Sequence, residues 1–224
     1  MSLPAYKTEL IATCLDNEIL KFGSFTLKSG RTSPYFFQAG AFNTASLLSN
    51  LAHAYASTIA HSAETPEFDV VFGPAYKGIP LASVTATSLY QLAPERFANT
   101  GYAFNRKEAK DHGEGGTIVG ASLKGKRVLV VDDVITAGTA IREAVGIIEA
   151  AGGKVVGIVV ALDRQERLVE GDEPGESAIQ SVRRAMPGVA VVPILTLGDL
   201  IAGVQGEERE KMVEYRARYG AKAE

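Results

Sequence analysis

Residues 128–140 read Val-Leu-Val-Val-Asp-Asp-Val-Ile-Thr-Ala-Gly-Thr-Ala, and this run constrains the fold more than any other part of the chain. Four apolar β-formers, Val128 to Val131, lead directly into two adjacent carboxylates, Asp132 and Asp133. A loop of small residues follows, and a helix is predicted from about Thr139. An apolar run without alternation reads as a strand buried on both faces, the mark of a parallel sheet covered by helices. The acids then stand at the carboxyl end of the strand, where open α/β sheets hold their ligands. Loop N–H groups and the helix dipole form a phosphate seat at the same place. Carboxylates beside such a seat repel a bare anion, so they are expected to serve sugar hydroxyls or a metal-bound hydroxyl. The segment implies a site for a ribose phosphate. It is neither a Walker P-loop, since no Gly-Lys-Ser/Thr follows, nor a G-x-G-x-x-G fingerprint.

The remaining periodicities extend the same architecture. Helices are predicted over residues 6–22, 44–61, 79–92, 139–151, 176–185, 197–204 and 207–219, from apolar residues at helical spacing. Strands are predicted at 69–73, 101–105, 127–131, 154–162 and 189–195, with two short extended pieces at 24–28 and 34–38. Residues 106–117 are polar, charged and rich in glycine, and read as a loop. Strands alternating with amphipathic helices predict an α/β fold, a mostly parallel sheet with helices on both faces. The whole chain, 1–224, reads as a single domain. Residues 1–40 and their strand pair read as a small N-terminal hood over the sheet edge.

Composition excludes other classes. A net charge of −3 gives no case for nucleic-acid binding. No apolar run is long enough for a membrane span, and residues 1–5 lack the features of a signal peptide, so a cytoplasmic protein is expected. The one cysteine, Cys14, forms no internal disulfide and falls in a helical apolar pattern, as expected of a packed thiol. His53, His61 and His112 have no zinc-ligand spacing.

At residues 128–140 the chain resembles the phosphoribosyltransferase family, whose signature is apolar residues, two acids and a Thr/Gly-rich loop. Further segments resemble the orotate branch of that family: 25–37, 73–80, 102–116, 163–166 and 215–220, in the same order along nearly the whole chain. The resemblance implies the type I phosphoribosyltransferase fold. It also implies transfer of the 5-phosphoribosyl group from 5-phosphoribosyl 1-diphosphate to orotate, giving orotidine 5′-phosphate and diphosphate in pyrimidine biosynthesis. Asp132 and Asp133 would hold the ribose hydroxyls, and Val134, Ile135, Thr136, Ala137, Gly138, Thr139 and Ala140 would surround the 5′-phosphate. Tyr76 and Lys77, in the tight turn after Gly73, would meet the diphosphate. Magnesium would arrive with that substrate, held mainly by its oxygens, and no dedicated protein metal site is expected. A homodimer is implied, with the lid at 106–116 shared between subunits.

Each motif also has a chemistry of its own. Arg106, Lys107, Lys110 and His112 beside three glycines describe a basic lid able to neutralise a departing diphosphate; a solvated charged loop is the plainer alternative. With Lys77, these are the candidate catalytic residues. Lys28 ends a strand before a glycine turn, where a solvated lysine is the plain reading; by resemblance it reaches the diphosphate or the base. Phe36 and Phe37 alternate across a strand, so at least one is expected in the core, and by resemblance both border orotate, as does Thr136. Arg164 offers a fork of donors to a carboxylate, which orotate has and purines lack, unless it is a salt bridge to Asp163 or Glu166. A purine phosphoribosyltransferase and a non-catalytic nucleotide-binding regulator are the rival readings. Arg164 speaks against the first, and the full set of lid cations against the second.

Overall fold

The structure, a computed structural model, describes residues 3–110, 116–135, 138–168 and 175–222. Helix α1 (Ala5–Asp16) leads into a hairpin of β1 (Leu20–Thr26) and β2 (Thr32–Phe37), followed by helix α2 (Ala45–His61). Strand β3 (Val70–Gly73), helices α3 (Gly78–Leu92) and α4 (Pro94–Phe97), and strands β4 (Gly101–Lys110) and β5 (Gly116–Gly120) come next. Then follow β6 (Arg127–Val134), α5 (Thr139–Ala150), β7 (Lys154–Asp163) and α6 (Ala178–Ala185). Strand β8 (Ala190–Thr196) and helices α7 (Leu197–Gly203) and α8 (Gly206–Tyr219) close the chain.

The main sheet has the order β5-β4-β3-β6-β7-β8, and every neighbouring pair is parallel except β4–β5. The chain moves outward from β3 to β4, returns to lay β6 on the other side of β3, and then continues outward through β7 and β8. The direction therefore reverses between β3 and β6, and a doubly wound sheet opens a crevice at the carboxyl ends of such a strand pair.

Strand alternation divides the core into two layers. Val70, Phe72, Val128, Val130, Ile158 and Val160 face α5 and α6, packing with Ile141, Ile148, Ile179 and Val182. Val71, Leu129, Val131, Val159 and Ala161 face the other way, with Leu51, Tyr55, Ile59, Leu81 and Leu89 of α2 and α3. Each strand thus needs apolar residues at every position, which explains the unbroken runs. The hairpin forms its own two-stranded sheet and packs on α8, with Tyr35 edge-on to Tyr215 at 6.2 Å. No helix among the described residues is long and apolar enough to cross a membrane.

Two expectations need correction. The helix expected over 6–22 ends at Asp16; Glu18 takes a left-handed φ of 52°, and Leu20 and Phe22 pair with Phe37 and Tyr35 instead. Ile19, Leu20 and Phe22 fit a 3.6-residue period and a strand about equally, and the pairing decides. The lid base is also more ordered than a loop. Strand β4 continues to Lys110, and β5 pairs with it antiparallel, setting Asn105 opposite Ile118 and Lys110 opposite Gly116. The lid is thus carried on a two-stranded ribbon at the sheet edge.

Candidate active site

The loop after β3 closes tightly. Gly78 N–H donates to the Pro74 carbonyl at 3.0 Å, and a Cβ on Gly73 would lie 2.1 Å from the Gly78 oxygen. Only glycine permits that approach, so the chain folds back within five residues and sets Tyr76 and Lys77 outward, Tyr76 being 72% exposed. Asn105, buried on β4, holds the loop from beneath: its Oδ1 accepts from Ala75 N–H at 3.0 Å. Its Nδ2 donates to the Arg106 carbonyl at 3.3 Å, so one side chain ties the loop to the base of the lid.

Across the crevice, β6 runs through both acids to Val134. Asp132 continues the row of Val128 and Val130, and Asp133 that of Leu129 and Val131. Each carboxylate turns along the chain to accept the next amide: Asp132 Oδ1 from Asp133 N–H and Asp133 Oδ1 from Val134 N–H, both at 2.9 Å. Asp133 Oδ2 takes Lys77 Nζ at 2.7 Å, joining the two loops by an ion pair. Asp132 Oδ2 has no hydrogen-bond partner among the described residues. Burial pushes the Asp132 carboxyl up to about 6, and the neighbouring Asp133 adds to the rise against the pull of its amide and Lys77. From below, the fully buried Tyr55 donates its hydroxyl to the Asp132 carbonyl at 2.8 Å.

These elements enclose a cleft of about 280 Å³ lined by Lys28, Tyr76, Lys77, Asn105, Lys107, Asp132, Asp133, Val134 and Ala140, among others. Lys28 reaches it from the hairpin turn, where Leu27 N–H donates to Arg31 O and Gly30 N–H to Leu27 O. Lys107 stands with its ammonium 6.0 Å from the Tyr76 ring centre. Gly138 caps α5 with a φ of 72°, and Thr139 is exposed at the helix start. Small residues, Ala140 and Ala144, keep α5 clear of the cleft, although Glu143 also borders it.

Not every expected residue meets there. Arg106 does not line the cleft; Ala103, Asn105 and Lys107 share one row of β4, and Arg106 belongs to the other. Phe37 is buried against Phe42, while Phe36 is 39% exposed and packs on Phe25 at 5.5 Å. Arg164 lies two residues beyond Leu162, which pairs with Val134, so it sits at the same sheet edge one strand over. Its guanidinium is held by Glu166, and the salt bridge weighed from the sequence is formed. The side chains of Lys110 and His112, with Thr136 and Ala137, lie outside the described residues. Asn105 and Tyr55 were missed; an Asn in an apolar strand and a Tyr in an apolar helix stripe carry only faint signals.

Comparison with known proteins identifies the family. Residues 43–181 match the family described as phosphoribosyl transferase domain. The orotate phosphoribosyltransferase of Neurospora crassa is 55% identical over 230 residues, covering 98% of each chain. The crystal structure of the Francisella tularensis orotate phosphoribosyltransferase superposes with a TM-score of 0.82 at 36% identity, covering 99% of this chain and 98% of that one. A Mycobacterium tuberculosis orotate phosphoribosyltransferase solved in complex with 5-phospho-α-D-ribosyl 1-diphosphate shares the fold, with a TM-score of 0.60 at 24% identity over 87% and 98% of the two chains. The chain belongs to the phosphoribosyltransferase family and, within it, to the orotate phosphoribosyltransferases, which transfer the phosphoribosyl group of 5-phosphoribosyl 1-diphosphate to orotate.

Proposed function

We propose that the crevice between β3 and β6 holds 5-phosphoribosyl 1-diphosphate with its two ends on opposite loops. Asp132 and Asp133 take the ribose hydroxyls, residues 134–140 the 5′-phosphate, and Tyr76 and Lys77 the diphosphate. The observation that carries this reading is the open Oδ2 of Asp132, an accessible acceptor on a largely buried side chain that borders a cleft also lined by Lys28, Lys77 and Lys107. Hydroxyl donors satisfy such an oxygen, whereas a phosphate would be repelled by it. The Mycobacterium tuberculosis relative binding the same compound supports the assignment.

The donor set fits a magnesium ion that arrives on the diphosphate. Asp132, Asp133 and Glu143 border the cleft, but among the described residues no three His, Cys, Asp or Glu side chains gather to cage a metal. Magnesium keeps near-octahedral oxygen coordination and prefers phosphate and water ligands, so the substrate itself is the main holder. When bound, the ion neutralises part of the diphosphate charge.

Catalysis is then electrostatic. The C1′–oxygen bond breaks as a ring nitrogen of orotate closes on C1′, and the diphosphate gains charge as it leaves. Lys77 and Lys107 face that charge, with Arg106, Lys110 and His112 carried by the lid. Arg164, Lys28, Thr136 and the edge of Phe36 and Phe37 receive orotate, with Arg164 directed at its carboxylate. Row alternation on β4 sends Lys107 to its own cleft and Arg106 away from it, which supports a homodimer whose lids serve the partner's sites. The hairpin acts as the hood, and the chain works as one domain in the cytoplasm, with no nucleic-acid or membrane partner.

A magnesium-dependent assay with 5-phosphoribosyl 1-diphosphate and orotate, adenine, hypoxanthine or uracil tests the base pocket; turnover of a purine without orotate overturns it. Lid sharing is tested by mixing Arg106→Ala with Asp132→Asn chains. Recovered activity is expected from hybrid dimers, and no recovery refutes the shared lid.

A further inference from the structure

Three segments with no part in the ribose clamp or the diphosphate loop converge on Arg164: residues 31–35 of the hairpin, 163–166 after β7, and 215–220 at the end of α8. Arg164 Nε donates to Glu166 Oε1 at 2.7 Å, and Nη2 reaches the same oxygen at 2.6 Å. Nη2 also donates to Ser33 Oγ at 3.0 Å, and Ser33 Oγ donates onward to the Tyr35 carbonyl at 2.7 Å. The guanidinium lies over the Tyr35 ring, 4.3 Å from its centre. On the far side of Glu166, Arg31 Nη1 stands 4.0 Å from Oε2 and donates to the Arg167 carbonyl at 2.7 Å. The Arg31 guanidinium in turn lies 5.3 Å from the centre of the Tyr219 ring. Ser33 and Tyr35 are fully buried, and Arg31 and Tyr215 nearly so.

This is an unusual outlay of buried polar groups for a single surface-reaching side chain. One carboxylate is shared between two guanidiniums, and Glu166, Ser33 and the Tyr35 ring together fix one of them. A free arginine samples many rotamers, and a ligand that binds it must first order it; a side chain already ordered spares the ligand that cost. Of the three Arg164 nitrogens, Nε and Nη2 are committed. Nη1 is engaged by neither Glu166 nor Ser33.

We propose that Glu166 is a positioning residue for orotate: by holding the Nε–Nη2 edge of Arg164, it presents Nη1 to the carboxylate of the acceptor base. The contact is then directed by one amino group, not by an open two-pronged fork, and the hairpin and the C-terminal helix become parts of the specificity apparatus. The inference rests on the assignment of Arg164 to the base pocket.

The test uses the full-length enzyme and initial rates with both substrates varied. Glu166→Gln keeps the size and an acceptor but removes the charge, and the KM for orotate should rise about tenfold or more. The KM for 5-phosphoribosyl 1-diphosphate and inhibition by uracil, which lacks the carboxylate, should stay unchanged. A cluster that merely stabilised the fold would lower the melting temperature and leave the orotate KM where it was, and that result overturns the proposal. Ser33→Ala, a smaller change in the same cluster, should raise the orotate KM in the same selective way and covers the case in which Glu166→Gln does not fold. Arg164→Ala separates the two levels. If it raises the orotate KM while Glu166→Gln and Ser33→Ala do not, positioning is refuted and the base pocket stands. If Arg164→Ala leaves the orotate KM unchanged, both fall.

Discussion

Replacing Asp132 by Asn should make the unliganded enzyme more stable while destroying its grip on 5-phosphoribosyl 1-diphosphate. The Asp132 carboxyl is raised from 3.8 to about 6, chiefly by burial. For a carboxylate whose folded pKa lies above its unfolded value, the charged form is the costly one. The cost is absent below the unfolded value, grows as pH rises from about 4 to 6, and is complete above that window. About two units at 1.36 kcal/mol each set the penalty near 3 kcal/mol. Asn keeps an acceptor for the Asp133 amide and discards the charge. For a chain of this length, about 2–4 °C per kcal/mol converts the gain to roughly 6–12 °C in melting temperature at pH 8. Thermal unfolding of both proteins without ligands, at pH 8 and again near pH 4, gives the comparison. The difference should shrink at the lower pH, where the wild-type carboxyl is protonated. Adding magnesium and substrate should reverse the ranking, because only the wild type gains binding energy. If Asp132→Asn is no more stable than the wild type at pH 8, the claim that this acid is strained in the empty site is wrong.

Other consequences are simpler to measure. One charge contact at about 4 Å is worth roughly 4 kcal/mol at an effective dielectric near 20, so Lys107→Ala should cut turnover by on the order of a hundredfold or more. Its effect on orotate affinity should be small, and equal losses in both would remove it from the leaving-group side. Tyr55→Phe deletes the hydroxyl that holds the Asp132 carbonyl and should cost about 1–2 kcal/mol in urea unfolding while raising the KM for 5-phosphoribosyl 1-diphosphate. An unaltered KM would show that the strand end holds its shape unaided. Burial pushes the Cys14 thiol up to about 12, so a thiol-specific reagent at pH 8 should label the chain only after denaturant is added. Rapid labelling of the native protein would contradict the packing of α1.

Much of the sheet was legible because a strand buried on both faces needs apolar residues at every position, and Val128 to Val131 and Val155 to Leu162 supply them. The same logic exposed the acids: nothing but a strand end tolerates Asp132 and Asp133 after such a run. The end of α1 was illegible because Ile19, Leu20 and Phe22 satisfy two periodicities, and only pairing with β2 chooses between them. Strand β5 was missed for a different reason. It is an edge strand of five residues, and Thr117, Ile118 and Val119 are too few to show alternation. The supports of the site were hidden by distance along the chain. Tyr55 acts on a residue 77 positions away and Asn105 on one 30 positions away, so their roles exist only once the fold brings them together. Arg164 illustrates a third case, since salt bridge and ligand contact were weighed as alternatives and the geometry allows both on different nitrogens.

The ion pair between Lys77 and Asp133 gives each of these groups a counterion within the chain. A substrate entering the crevice does not meet a bare lysine waiting for phosphate. On the assignment proposed above it exchanges partners, with its hydroxyls relieving Asp133 and its diphosphate relieving Lys77 in the same event. A fragment with only one of those two ends, diphosphate alone or a ribose without it, leaves half of the exchange uncompensated. On that assignment, selectivity for the intact substrate over its pieces is built into the resting state. Because one protein ion pair is traded for two ligand contacts, few small ions are released on binding. Affinity for 5-phosphoribosyl 1-diphosphate should therefore depend on ionic strength less steeply than the number of lysines around the cleft suggests.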